Sequence, residues 1–262
     1  MPSSSDTDRP LLLVPALVKG LAIIDIVARD PGLAFSQIQK QAGFAKSSTH
    51  QLISTLCHLG LLQVTADGKH MLGLRLFELG SIAAAQRGVE REAMPHLRAL
   101  ASEVGMTCHL GVLEGHEAVY LAKVESDQPI KVNTWVGKRL SLYSSSLGKV
   151  LLAWLPEAQL DAALAHVEWK RNTPHTIADA GALKDHLALV RSRGWSTDDE
   201  EDVPNIRCVS APVRDMRGNV VAAISVVGTI LQVSVDRFPE LAQQVCAAAE
   251  RISAALGHHP SA

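Results

Sequence analysis

The sequence has few cysteines, no long apolar run and no basic leader segment. Cys57, Cys108, Cys208 and Cys246 are widely spaced and form no CxxC motif, which predicts reduced thiols rather than a disulfide framework. No stretch approaches the roughly 18 to 20 apolar residues of a membrane-spanning helix. MPSSSDTDRP lacks the basic region of a signal peptide, and the apolar run at 11–14 is too short for one. We therefore expect a cytoplasmic protein without a membrane partner.

The sequence also lacks an excess of charge of either sign. Lys and Arg number 25 against 27 Asp and Glu, a formal net charge of −2. No global field therefore attracts nucleic acid or membranes, and such binding would need a local patch. With 262 residues, 47% of them hydrophobic, the chain can bury a sizeable core in one large or two smaller domains.

Apolar periodicity in the N-terminal part predicts three helices followed by a hairpin. The first helix is expected at about 16–28, with an apolar face made of Leu17, Leu21, Ile24, Val27 and Ala28. Ser36 is expected to cap a second, short helix that ends at Gly43. A third helix opens near Lys46 and ends at Gly60. Asp67-Gly68 is a strong hairpin signal.

The third helix has an unusual polar face. Its apolar stripe is Leu52, Ile53, Leu56 and Leu59. The opposite face has short hydrogen-bonding groups and almost no formal charge: Ser47, His50, Gln51, Ser54 and His58. Two helices joined by a short turn with glycine predict a helix-turn-helix whose second helix enters the major groove of DNA. The hairpin would then be a wing, with Lys69 and His70 near its tip.

A small helical subdomain with a polar surface helix is the alternative interpretation of this segment. Charge gives DNA binding little support, because residues 1–70 contain six Lys and Arg against five Asp. Specific binding should therefore need two copies of the chain on paired half-sites.

The C-terminal part mixes strands with helices. Residues 74–104 predict a long helical stretch that restarts at Pro95, followed by two strands with a turn at 114–116 and a third strand at 130–137. A helix begins at the serine cluster SSSLGKVLLAW and stops before Pro156. Two further strands, IRCVSAPVRD and VVAAISVVG, precede a final helix at about 239–256. This order predicts an antiparallel α+β domain.

Taken together, these segments resemble the IclR family of bacterial transcriptional regulators. The resemblance is carried by KGLAIIDIVA, GFAKSSTHQLISTLCHLGLL, LGLRLFELG, SSSLGKVLLAWLP, HTI and RSRGWSTDDEEDVPNIRCVSAPVRDMRGNVVAAISVVG. It implies an α+β fold with an N-terminal winged helix-turn-helix at 12–74, a linker helix at 75–90 and a GAF/PAS-like α/β effector-binding domain at 91–258. It also implies a homodimer or homotetramer that binds pseudo-palindromic operator DNA near genes of small-molecule catabolism, with no cofactor and no metal.

The resemblance also implies site residues. The expected DNA-binding residues are Ser36, Lys46, Ser47, Ser48, Thr49, His50, Gln51, Ser54, Lys69 and His70. The expected effector is a small carboxylic acid whose carboxylate lies at a helix N-terminus, where unpaired amides stabilise an anion. The effector-binding residues are Ser144, Ser145, Ser146, Leu147, Asp198, Cys208 and Ser225.

Three positions depart from the family pattern. Gln51 stands where an arginine is usual in the recognition helix, and Asn205 replaces a usual glycine. Val227 replaces a serine of the last strand, which favours a more apolar, aromatic acid as the effector.

Residues taken singly leave other interpretations open. The serines alone are typical of a plain N-cap, and Cys208 alone is typical of a buried structural thiol. Cys208, His109 and Asp198 could form a hydrolase site, although no nucleophile-elbow sequence surrounds the cysteine. The same three residues could ligate a metal in a sensor, although they have no metal-motif spacing.

Overall fold

The computed structural model describes residues 14–85, 88–125, 127–128 and 132–259. The chain divides into two compact units, Met1–Gln86 and Arg87–Ala262, called the N-terminal and C-terminal units below. Within the described ranges, every helix is too short or too polar to cross a membrane.

The N-terminal unit contains four helices and a small sheet among its described residues. In chain order these elements are α1 (Pro15–Arg29), β1 (Leu33–Ala34), α2 (Phe35–Ala42), α3 (Lys46–His58), β2 (Leu62–Val64), β3 (Lys69–Leu72) and α4 (Leu74–Ala85). The sheet is antiparallel in the order β1-β3-β2. The predicted helix-turn-helix followed by a hairpin is therefore confirmed.

The core of the N-terminal unit differs in part from the predicted apolar faces. Its buried residues are Ile23, Ile26, Val27, Ile38, Ile53, Leu56 and Leu62. Leu17, Leu21 and Leu59 were predicted to be buried but are 73%, 60% and 55% exposed. Thr49 occupies the α3 stripe instead, with its hydroxyl donating to the carbonyl of Ala45 at 3.1 Å.

The predicted cap of α2 is also wrong. The helix begins at Phe35, and the backbone N–H of Ala34 donates to Gln37 Oε1 at 2.8 Å. Ser36 lies inside the first turn and is exposed. Gly43 ends the helix as predicted, with a left-handed φ of 68°.

The C-terminal unit packs helices on both faces of one sheet. Its described elements are α5 (Val89–Val104), β4 (Thr107–Glu114), β5 (Glu117–Val124), β6 (Arg139–Leu140), α6 (Ser146–Ala153), α7 (Glu157–Ala165), α8 (Ala180–Arg193), β7 (Ser196–Asp199), β8 (Ile206–Arg214), β9 (Val220–Thr229) and α9 (Phe238–Ala255), preceded by a short 3₁₀ turn at Val235–Arg237. The six described strands are antiparallel in the order β6-β5-β4-β9-β8-β7. This confirms the predicted α+β class.

Two apolar clusters hold the helices against the sheet. One face packs on α5 and α9, through Leu97, Leu110, Ile224 and Val245, which are all fully buried. The other cluster joins α6, α7 and α8 and includes Ala223 of β9 and Tyr120 of β5. Because alternate residues of a strand face opposite sides, β4, β8 and β9 contribute to both sides of the sheet.

Two predictions for this unit were wrong, and one strand was missed. No helix restarts at Pro95, which lies inside α5, and the break falls before Val89 at Gly88, whose φ is 50°. The described residues at 132–137 form no strand, and the edge strand is the shorter Arg139–Leu140. Residues 130 and 131 of that predicted strand lie outside the described residues. Strand β7 was not predicted, because STDD has little of the apolar alternation typical of strands.

Candidate functional site

Helix α3 presents its polar face to solvent. Lys46, Ser47, His50, Gln51 and Ser54 are exposed, and Ser48 is half-buried. Helix α3 contains no Asp or Glu, so no carboxylate along it would repel a phosphate backbone. His50 packs edge-on against Phe35 at 6.1 Å between ring centroids, which connects the polar face to the start of α2.

Two of the predicted DNA-contacting side chains are buried. Thr49 is 0% exposed, and its side chain packs towards the core of the unit. His70 is 6% exposed, and its Nδ1 lies 3.2 Å from the carbonyl oxygen of Leu33. Neither side chain can reach a duplex, so the prediction that they contact DNA was wrong. Thr49 instead packs inside α3, and His70 holds β3 against β1.

The tip of the hairpin is held by its own polar side chains. Thr65 Oγ1 donates to Asp67 Oδ1 at 2.5 Å, and Lys69 Nζ lies 3.0 Å from Asp67 Oδ2. These contacts lower the pKa of Asp67, first through the bond from Thr65 and then through Lys69. Lys69 stays 53% exposed, although the neighbouring carboxylate offsets its charge.

In the C-terminal unit, helix α6 is buried along its whole length, from Ser146 to Ala153. The backbone of Ser141 and Leu142 crosses it at Gly148, where an added Cβ would lie 2.5 Å from the carbonyl oxygen of Ser141. Ser145 is the N-cap, with its hydroxyl oxygen accepting from the Gly148 amide at 3.0 Å. The amides of Ser146 and Leu147, in the first turn, have no intrahelical acceptor.

Two predicted effector residues have structural side chains. The Ser145 hydroxyl donates to the Ser141 carbonyl while it caps α6. The Leu147 side chain packs against β4, where a Cβ added to Gly111 would lie 2.5 Å from Leu147 Cδ2. At these two positions the backbone remains available to a ligand, in keeping with the predicted carboxylate contact at the helix N-terminus.

The sheet presents polar residues towards the N-terminus of α6 in two rows. The first row runs across four strands in register: His109, Ser225, Ser210 and Ser196. The second row, two residues away along each strand, is Thr107, Val227, Cys208 and Asp198. Ser146 Oγ lies 2.7 Å from Ser210 Oγ, so α6 covers this face. Of the predicted effector residues, Ser146, Asp198, Cys208 and Ser225 therefore converge.

The turn after β7 brings two further carboxyl groups, Glu201 and Asp202, next to Asp198 of the strand. Asp198 Oδ1 accepts from the amides of Glu201 at 2.7 Å and Asp202 at 3.3 Å. Ser144 Oγ donates to Asp202 Oδ1 at 2.6 Å, which brings Ser144 to the same place. Lys149 of α6, 0% exposed, forms a buried ion pair with Glu201. Helix α6 and the turn are thus joined by both a hydroxyl and an ammonium.

Asn205 follows this turn in a left-handed conformation, with a φ of 63°. Glycine adopts this region without cost, and asparagine is one of the few other residues that visits it routinely. The Asn205 amide donates to Glu200 Oε2 at 3.0 Å. The departure from the family's glycine is therefore compatible with the same turn.

Burial shifts the pKa values of several side chains on the sheet face that α6 covers. It raises the pKa of Asp198 to about 7, although Lys149 and the Glu201 amide act in the opposite direction. Burial and then the charge of Asp198 raise the pKa of Cys208 well above its ordinary value. Burial lowers the pKa of His109 to about 3, with smaller effects of Lys123 and Lys138. At neutral pH the thiol is protonated and the imidazole is neutral.

These values and contacts do not favour the hydrolase interpretation. The nucleophile of such an enzyme is a thiolate, whereas the pKa of Cys208 is raised. His109 Nε2 lies 2.8 Å from Thr134 Oγ1, and the histidine stands on β4, two strands away from β8. The metal-sensor interpretation has no support either, since the described part of the chain has no group of three His, Cys, Asp or Glu suited to a metal ion.

Lys149 and Ser210 were not among the predicted residues, although the sequence contains signals for both. Lys149 is the one charge in the apolar run LGKVLLAW, and a lone charge inside a buried helix needs a partner. Ser210 follows Cys208 by two residues in a strand, which places both on the same face.

Two family models match the chain. The IclR helix-turn-helix domain matches residues 16–66, and the C-terminal domain of bacterial transcriptional regulator IclR matches residues 82–254. The second match alone spans more than half of the 262 residues.

Individual relatives match over nearly the whole chain. An uncharacterised HTH-type transcriptional regulator, RhmR, of Escherichia coli (strain K12) is 37% identical over 93% of this chain and 94% of its own. The crystal structure of Thermotoga maritima IclR is 32% identical, with a TM-score of 0.79 over 93% of this chain and 99% of that one. An IclR homologue from Microbacterium hydrocarbonoxydans, crystallised with 4-hydroxybenzoate, is 26% identical, with a TM-score of 0.79 over 92% and 98%. The chain belongs to the IclR family of bacterial transcriptional regulators.

Proposed function

We propose that two copies of this chain bind a pseudo-palindromic operator through α3 and that a small carboxylate controls the binding. The observation that carries this proposal is the exposed face of α3, which has one cation, several short hydrogen-bonding groups and no carboxylate. Ser, Gln and His can bond to phosphates and base edges, while Lys46 offers a counter-charge. Ser36 and Lys69 are proposed as flanking contacts. The protein would act as a repressor or an activator according to where the operator lies relative to the promoter.

The proposed effector site is the N-terminus of α6. The amides of Ser146 and Leu147 and the positive end of the helix dipole suit one carboxylate. The hydroxyls of Ser144 and Ser225, the Asp198 carboxyl and the Cys208 thiol would surround the rest of the molecule. The family member crystallised with 4-hydroxybenzoate supports a small carboxylic acid as the class of effector. Effector coupling to DNA binding is commonly about 1 to 3 kcal/mol.

Dimerisation is supported by apolar side chains that the N-terminal unit leaves in solvent. At the N-cap of α1 and along it these are Val14, Leu17, Val18 and Leu21, and on α4 they are Leu74, Phe77, Leu79 and Ile82, all between 44% and 73% exposed. A set this large is unusual on a surface that meets only water. We propose that α1 and α4 contact a second copy, with α4 as the linker helix.

Substitution in α3 tests the DNA-binding proposal. Lys46→Ala and Gln51→Ala should each weaken binding to a promoter fragment by about 5- to 100-fold, because a lost phosphate or base contact costs roughly 1 to 3 kcal/mol. Lys46→Ala should also reduce the dependence of affinity on salt. Fluorescence anisotropy with labelled promoter DNA at several salt concentrations measures both effects. Lys170→Ala and Gln159→Ala, exposed in the C-terminal unit, are matched controls. Unchanged affinity in both α3 variants would refute the proposal.

Substitution of an exposed apolar residue tests the dimer. Phe77 is 72% exposed, so Phe77→Ser should leave the fold of each chain intact. It should weaken the dimer, so that a larger fraction of the protein sediments as the monomer. Leu231→Ser is the control, because Leu231 is 87% exposed in a loop of the C-terminal unit. Sedimentation velocity measures the change. If both variants sediment with the same mass as the unmodified protein, α4 does not contribute a dimer contact.

A further inference from the structure

The C-terminal unit has a second cavity that shares no residue with the proposed effector site. Strand β7 begins at Ser196, opposite Ser210 of β8, so residues 211–214 of β8 have no described strand on their outer side. The end of α8, this part of β8 and the second half of α9 line a cavity of about 800 Å³, called the basic groove below. Its volume lies within the range of small-molecule sites, which is about 300 to 1,000 Å³.

Most of the charged residues of the basic groove are cations. Its charged and titratable lining residues are Arg193, Arg214, Arg251, Glu250, His258 and His259. Three arginines against one glutamate give a formal charge of +2, with the histidines counted as neutral, in a chain whose net charge is −2. None of these arginines forms an ion pair with a carboxylate of the described residues. Cations that line a concavity without counter-ions concentrate anions there.

Two of the arginines are held in place by tryptophans. The Arg193 guanidinium lies 4.0 Å from the ring centroid of Trp195, and its Nε donates to the Trp195 carbonyl at 2.7 Å. The Arg214 guanidinium lies 4.9 Å from the ring centroid of Trp154, and its Nη1 donates to the Gly218 carbonyl at 2.9 Å. A guanidinium has several N–H donors, so each arginine keeps donors for a ligand. Because these contacts already order the side chains, a ligand would lose little of their conformational entropy.

The helix dipole does not account for this set of cations. A cation in the last turn of a helix offsets the negative end of the dipole, and Arg193 occupies the last turn of α8. Arg251 lies before the last turn of α9, which has no basic residue, and Arg214 stands on β8. Two of the three arginines therefore have neither a helix end nor a carboxylate as a partner among the described residues.

We propose that the basic groove binds a phosphate monoester of a small organic molecule, as a second ligand besides the effector at α6. A phosphate monoester carries a charge of about −1.5 to −2 at pH 7, which balances the arginines and Glu250, whereas a monocarboxylate would leave one cation without a counter-ion. Its oxygens accept paired N–H bonds from guanidinium groups, a geometry that arginine matches and lysine does not. Pro212 and Ala254, which also line the groove, offer small apolar surfaces to the organic part.

A ligand series tests the class. Isothermal titration calorimetry of the full-length protein, at constant ionic strength, would compare glycerol-3-phosphate, ribose-5-phosphate and glucose-6-phosphate with their parent alcohols and with inorganic phosphate. We expect at least one ester to bind at millimolar concentration or below, and about tenfold or more tighter than its parent alcohol, because charged hydrogen bonds are the stronger ones. The proposal is overturned if no ester binds at millimolar concentration, or if inorganic phosphate binds as tightly as the best ester.

Variants of opposite sign test the location. Arg251→Gln should weaken the best ester about tenfold or more, because it removes a charged donor. Glu250→Gln should tighten the ester about two- to fivefold, because it removes the one acid of the groove; a general disturbance of the fold does not produce such a gain. Both residues are exposed, and Arg98→Gln on the exposed surface of α5 is the matched control. If Arg251→Gln and Glu250→Gln both bind the ester like this control, the ester lies elsewhere and the assignment is wrong.

Nucleic acid is the other source of phosphate groups. A short DNA duplex of unrelated sequence should not displace the best ester in a competition titration, because a duplex is too wide to enter a cavity of small-molecule size. Displacement by the duplex would assign the groove to nucleic acid and overturn the proposal. Failure of the proposed operator binding through α3 is distinguishable, since ester binding is measured without operator DNA.

Discussion

Replacing Lys149 with Met is expected to lower the free energy of unfolding of the C-terminal unit by about 3 to 5 kcal/mol. Lys149 is fully buried and its ammonium contacts only one carboxylate among the described residues, that of Glu201. Removing one partner of a buried ion pair leaves the other charge unpaired in a medium of low polarity, which has about this cost. Urea unfolding followed by tryptophan fluorescence measures it. Trp135, Trp154, Trp169 and Trp195 all lie in the C-terminal unit, so the signal reports on that unit.

Two further variants show whether the unpaired charge is the cause. Lys149→Met combined with Glu201→Leu should recover most of the loss, because replacing both partners with apolar groups removes the buried charge. Lys184→Met breaks the exposed contact of Lys184 with Asp161 and should change the stability little, because exposed ion pairs are screened by solvent. If Lys149→Met costs no more than Lys184→Met, the buried pair does not stabilise the unit.

This ion pair also explains how the proposed effector site stays assembled. Lys149 lies in the first turns of α6, whereas Glu201 lies in the turn after β7. The bond from Ser144 to Asp202 joins the same two segments. A ligand between the helix end and the turn would meet groups that are already fixed in position, which reduces the entropy lost on binding.

The N-terminal unit was predictable from the sequence because its signals are local. Gly43, Gly60 and the Asp67-Gly68 turn mark where helices and strands end, and the structure has these boundaries within a few residues. The burial of α1 was not predictable in the same way. Apolar residues lie on both sides of this helix, and Leu17 and Leu21 on the outer side remain exposed. Apolar periodicity looks the same whether a helix face is buried in the core of its own chain or in a contact with a second chain.

The C-terminal unit shows where local signals fail. Pro95 was expected to interrupt a helix, because proline removes one backbone donor. Ala93 and Leu97 on either side of it are both fully buried against the sheet, and this packing outweighs the lost hydrogen bond. The break falls at Gly88 instead. Tertiary contacts of this kind are not visible in a run of residue types.

For the candidate site, the residues could be predicted from the sequence, but the pairs of side chains that contact each other could not. The serine cluster, Asp198, Cys208 and Ser225 were selected from the family resemblance, and the structure brings them to one face of the sheet. Lys149 and Glu201 are 52 residues apart in the chain, and no local pattern indicates that they pair. The register across β4, β9, β8 and β7 decides which polar residues become neighbours, and register depends on the folded sheet.

Asp198 should make the stability of the C-terminal unit decrease as pH rises from about 4 to about 7. Burial raises the pKa of Asp198 to about 7 from its ordinary value of 3.8. Between these values the folded state holds a proton that the unfolded state has released, so raising the pH favours unfolding. The stabilisation is fully present below the unfolded pKa and is lost as pH passes the folded pKa. The loss is roughly 1.4 kcal/mol per pH unit between the two pKa values and smaller near the folded one, or about 2 kcal/mol between pH 5 and pH 7.

Asp198→Asn isolates this contribution, because asparagine resembles the protonated acid and does not titrate. Near pH 5 the variant and the unmodified protein should have similar stability. Near pH 8 the variant should be the more stable by about 3 kcal/mol, since only the unmodified protein then buries a charge beside Glu201 and Asp202. Other titrating groups, Glu201 included, are common to both proteins and cancel in the difference. Asp185→Asn, exposed on α8, should give a difference that does not vary with pH. A difference for Asp198→Asn that stays equally flat from pH 5 to pH 8 would mean that the folded protein holds this carboxyl ionised throughout.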